Sequence, residues 1–83
     1  MTWRWEYDPS EAYVIGGAPP AFVAEVEKTA DELVRAAVAF YLDGTEQEGL
    51  DPKGGTAHFD SGFFVYLIVP RHECLYVRQV TWI

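Results

Sequence analysis

Side chains that could move a proton or grip an anion gather near the end of the chain, where His58, His72, Cys74, Tyr76 and Arg78 share one short stretch. An imidazole titrates near neutrality, so His58 could serve as a general base; the plainer reading is a surface histidine on a short strand. Arg78 lies between Tyr76 and Trp82 in sequence. A guanidinium in such company is either a structural cation–π partner or a reader of phosphate or carboxylate. His72 follows Arg71 in a tight turn and reads as solvent-exposed. Cys74 has no second cysteine to pair with and no acid or base motif around it, which describes an inert, half-buried thiol. The histidines, cysteine and carboxylates show no metal-ligand spacing, so no metal is expected. Gly16-Gly17 and Gly54-Gly55 lack the strand-glycine-helix pattern of phosphate loops and read as turns; no cofactor is expected.

These residues depend on the elements that carry them. Trp3, Trp5 and Tyr7 alternate with Thr2, Arg4 and Glu6, the period of a half-buried strand. Asp8-Pro9-Ser10-Glu11 then offers a capping carboxylate, a proline for the first helical position and an acid in the first turn, predicting a short helix to about Ile15. From Ala21 to about Leu42, the residues Phe22, Val26, Ala30, Leu33, Ala37 and Phe40 recur three or four apart, as on one face of a long helix. Thr29-Ala30-Asp31-Glu32 matches a capping box, but no Gly or Pro interrupts the pattern and a single helix is favoured. Asp43-Gly44 is expected to end it, and residues 44–56 read as one polar loop.

Three short β-segments follow, from Gly54 to Ile83. Phe63 to Val69 is apolar at every position, as in a central strand. If Pro70-Arg71-His72 forms a three-residue loop, Val69 faces Glu73 and Tyr66 faces Tyr76. The helix-facing core is then Phe63, Val65, Leu67, Leu75 and Val77. The open face becomes His58, Phe64, Tyr66, Ile68, Cys74, Tyr76, Arg78, Val80 and Trp82, and such a face needs a cover or a ligand. The fold class is α+β: an antiparallel sheet of the N-terminal strand plus a C-terminal three-stranded meander, packed on a short and a long helix.

The chain has 83 residues, 49% hydrophobic and 16% aromatic, which supports one domain over residues 1–83 with a modest core. Its formal charge of −7 disfavours a domain held on nucleic acid by its overall field. The acids lie mostly in residues 1–52, where Glu46-Gln47-Glu48 and the polar helix face read as solvated. The N-terminus shows no basic-then-apolar leader, and no apolar run is long enough to span a bilayer as a helix, so a cytoplasmic protein is expected.

Trp5-Glu6-Tyr7-Asp8-Pro9-Ser10 at the first junction, Pro19-Pro20 before the long helix, a Gly-containing loop and the Gly62-Phe63-Phe64-Val65-Tyr66 strand together resemble the RelE/ParE superfamily of small bacterial toxins. The resemblance covers most of the chain. It implies a messenger-RNA endonuclease site built from Arg78, Tyr76, His58 and Lys53, with Arg71 also on the last hairpin. There the cations would stabilise a pentavalent phosphate while His or Tyr moved protons. The family's catalytic members have strongly basic surfaces, and this chain is acidic. The expectation is therefore a divergent member that acts mainly by protein binding, through Phe64, Tyr66, Trp82 and Arg71, to an antitoxin-like peptide. The alternatives are an active endoribonuclease meeting RNA or the ribosome, and a homodimer formed through the open sheet face.

Overall fold

A computed structural model of the protein describes residues 3–41 and 51–83. The expected helix end at Asp43-Gly44 and the Glu46-Gln47-Glu48 stretch lie outside the described residues. The chain runs β1 (Arg4–Tyr7), α1 (Glu11–Ile15), α2 (Pro20–Tyr41), β2 (Lys53–Phe59), β3 (Gly62–Val69), a 3-10 turn (Pro70–His72) and β4 (Cys74–Trp82). The four strands form one sheet in the order β1-β4-β3-β2. This is the expected α+β arrangement, with one qualification: β1 joins β4 in parallel, so the sheet is mixed. The two helices between β1 and β2 carry the chain across the sheet, which a tight turn could not do.

Alternating residues of β1 place Trp5 and Tyr7 on the core side. The cap of α1 differs from expectation. Asp8–Pro9 is a cis peptide, and Ser10 is the N-cap, its Oγ accepting from the Tyr13 N–H at 3.2 Å. Asp8 extends the β1 ladder instead, its N–H donating to the Val77 carbonyl at 3.0 Å. The long helix is one piece, as the uninterrupted pattern requires. Phe22, Val26, Ala30 and Ala37 are buried along it, whereas Phe40, expected on the same face, is 56% exposed. Its acidic side is only partly solvated: Trp5 donates Nε1–H to Asp31 at 2.8 Å and the Tyr7 hydroxyl donates to Glu27 at 3.2 Å. Two of the helix acids thus tie α2 to β1.

The meander holds the main correction. Val69 pairs with Cys74, Ile68 with Leu75, Leu67 with Tyr76 and Tyr66 with Val77. The connection therefore has four residues, Pro70 to Glu73, because Glu73 adopts a left-handed conformation (φ 50°) and closes the turn one residue later than expected. Side chains alternate across a strand, so the one-residue slip inverts β3. Phe64 is fully buried, and Tyr66 and Ile68 pack on the core with it; Phe63, Val65, Leu67 and Val69 take the open face. On β4, Leu75 and Val77 are buried as expected. The ladder then skips one residue, Val65 pairing with Gln79, so Arg78 is bulged and Val80 and Trp82 move to the helix side. The Phe22 ring packs between Phe59 and Trp82, at centroid distances of 5.6 and 5.8 Å. The strand β2 begins at Lys53, so residues 53–56 are strand where a loop was expected.

Candidate functional site

The open face of the sheet is built on β3. Helices cover one side of the sheet, yet Phe63, Val65, Leu67 and Val69 keep the other side of its inner strand apolar. Over this face runs a shallow groove of about 640 Å³, bounded by Pro9 and Tyr13 at one end and Gly54 at the other, with Val65, Tyr66, Leu67, Arg78 and Gln79 along it. Tyr13 is 77% exposed although its neighbours Val14 and Ile15 are buried, because α1 turns only one flank to the core. Arg78 follows Tyr76 by two and so shares its face, and the bulge brings Gln79, paired with Val65, onto that face beside it. The Arg78 Nε lies 3.2 Å from Asp8 Oδ2, and both side chains are about half exposed. The guanidinium is held in place by this pair, with its outer edge left to solvent.

A second polar group occupies the same face near β1. The Tyr76 hydroxyl and His72 Nδ1 are 2.8 Å apart. Arg4 donates from Nη1 to the His72 carbonyl at 3.3 Å and from Nε to Glu6 at 2.8 Å. Burial and the neighbouring Cys74 thiol push the Tyr76 phenol above its usual range. Burial likewise raises Cys74, whose side chain is fully enclosed, so the thiol stays protonated and unreactive at neutral pH. The sequence placed His72 in solvent. It is exposed, but its ring pins the 3-10 turn to β4, a contact that depends on the four-residue connection.

The residues expected to form a nuclease site are not brought together. His58 is exposed and its ring lies tilted beside Phe63, with ring centroids 5.5 Å apart. It pairs with Phe63, whereas Tyr76 pairs with Leu67. Those two rows are separated by about 13 Å at ~3.3 Å per residue along β3, too far for one phosphate to meet both. Lys53 pairs with Ile68 on the helix side of the sheet, where it borders an apolar notch of about 230 Å³ with Leu33 and Ala37. Arg71 is exposed in the 3-10 turn. Of the expected binding residues, Phe64 is inside the core, Tyr66 packs against it and Trp82 rests on Phe22 at the helix-side rim. None of the three belongs to the open-face row of its strand, although Tyr66 borders the groove, a correction that follows from the β3 register and the β4 bulge. Among the described residues no group of His, Cys, Asp and Glu could hold a metal ion. No described helix is long and apolar enough to cross a membrane.

No family model, curated protein or solved structure matches this chain.

Proposed function

We propose that this is a binding domain of toxin-like, divergent RelE/ParE type that receives an extended segment of a partner protein, antitoxin-like in kind, on the open face of its sheet. One observation carries the reading: β3 is apolar on both faces, while the helices pack against one. An antiparallel strand with one solvated face normally alternates apolar and polar residues. At ~25 cal/mol per Å², each 40 Å² of Val65 or Leu67 covered by a partner contributes about 1 kcal/mol. The Arg78–Asp8 pair at the groove supplies a fixed polar mark that would orient the segment. The order strand, two helices, three-stranded meander supports the toxin-like reading, and the wide spacing of His58 and Tyr76 favours binding over catalysis.

Two measurements test this. Inducible expression in a bacterial host should give abundant folded protein, normal growth and intact messenger RNA; growth arrest with RNA cleavage, lost in Arg78→Ala, would establish the endoribonuclease instead. Peptides selected against the wild type should lose binding to Leu67→Glu, which changes only the open face, and retain it for Glu25→Gln on α2. Binders indifferent to Leu67→Glu would place recognition elsewhere.

A further inference from the structure

We propose that Gly54 is the position at which the groove selects its segment, the bare floor there seating a large apolar side chain while Arg78 binds a carboxylate of the same segment. This names the kind of segment bound and rests on the binding reading given above. Gly54 pairs with Leu67, so the two share the open face. The other residues of β2 on that face, Thr56 and His58, carry side chains that stand opposite Val65 and Phe63. Leu67 therefore has no side chain beside it on this flank, although cross-strand pairs are what stabilise a sheet.

Neither backbone nor packing asks for a glycine here. The Gly54 backbone lies outside the left-handed region, unlike that of Gly17 and Gly62. Beyond its chain neighbours, a Cβ on it would meet nothing nearer than the Tyr66 carbonyl oxygen at 3.7 Å and Leu67 Cδ1 at 4.0 Å, which are ordinary contacts. The adjacent Gly55 differs, because the Tyr66 ring fills the space that its Cβ would need. A strand glycine forgoes side-chain packing and adds entropy to the unfolded chain, so one that the fold does not require marks a place of close approach. Here that place is the end of the groove, beside Leu67.

The occupant follows from the walls. Val65 and Leu67 are half-buried and apolar, so a leucine-sized or aromatic side chain seated over Gly54 would cover the bare Leu67 flank. Among the described residues Arg78 is the one cation lining the groove. Asp8 engages its Nε, which leaves the Nη edge to take a carboxylate in bidentate fashion. The formal charge of −7 disfavours further acids in the segment. The strands β4 and β2 lie two strand spacings apart, roughly 10 Å, which an extended segment covers in about three residues.

The test selects peptides from a random library on the wild type and measures their binding to variants by fluorescence anisotropy. Peptides that lose binding to Leu67→Glu should share an acidic residue and, roughly two to four positions away, a large apolar one. Gly54→Val fills the floor and should weaken them about tenfold or more, with a thermal unfolding midpoint no lower than that of the wild type. Thr81→Val, on the same face but outside the groove, should bind them as the wild type does. Selection repeated on Gly54→Val should keep the acid and replace the large residue by glycine, alanine or serine; selection on Arg78→Gln should keep the large residue and lose the acid. Leu67-dependent peptides that share no such pair, or that bind Gly54→Val undiminished, would overturn the inference and leave the binding face standing. An absence of Leu67-dependent peptides would overturn both. If Gly54→Val does not fold, Gly54→Ala and the residues shared by the wild-type peptides decide.

Discussion

Gly62 shows how little room a single residue can have. Its φ of 150° falls in a region that side chains avoid, and a Cβ there would collide with the Thr81 carbonyl oxygen and come 2.9 Å from the Trp82 Cα. Both are backbone atoms of β4, so the clash cannot be relieved by a rotamer change. Gly62→Ala should cost about 2–3 kcal/mol, read from the urea unfolding midpoint at constant m. A loss below about 0.5 kcal/mol would mean that this turn is looser than described. Among the candidate site residues, Arg78 and Tyr76 were recognisable on the open face from their chemistry and alternation. The partners Asp8 and His72 were not. Asp8 read as a helix cap because it precedes proline and serine, and only the tertiary position of Val77 and Arg78 assigns it another task.

At the level of elements, the two helices and the four strands each have a local pattern strong enough to read. What failed was the phase of β3, the face of β4 beyond its bulge and the start of β2. In Gly62–Val69 every residue after the glycine is apolar, so the sequence offers no polar position from which to tell one face from the other. The phase is set by Glu73, an acidic residue whose left-handed backbone nothing in its type announces. Paired substitutions test the outcome. Phe64→Ala empties a fully buried site and should cost about 3–5 kcal/mol, while Phe63→Ala on the open face should cost about 1 kcal/mol or less. Equal losses, or the reverse order, would return the strand to the register expected from a three-residue loop.

At the scale of the whole molecule, stability should fall on the alkaline side. Burial raises the Tyr7 phenol, with Glu27 adding to the effect, and burial also raises Cys74 and Tyr76. In each case the folded protein keeps a proton that the unfolded chain releases earlier. The associated stability is therefore complete below the unfolded values, about 8.5 for a thiol and about 10 for a phenol, and is lost as pH rises beyond them. Urea midpoints measured from neutral to strongly alkaline pH should be level at first and then decline. Tyr7→Phe lowers the level by removing the bond to Glu27 but should flatten the decline above about pH 10. An unchanged slope would show that Tyr7 ionises as freely in the folded protein as in the unfolded chain.

The sequence by itself determined the α+β class, one continuous long helix, the order of strands and helices along the chain and the uneven charge, because each rests on local periodicity or composition that does not depend on distant residues. Tertiary structure alone decided the parallel seat of β1, the phase of β3, the bulge that turns Val80 and Trp82 to the helix side and the separation of His58 from Tyr76. These depend on which backbone groups meet across the sheet. A shift of one residue in that meeting exchanges core for surface without changing any local pattern.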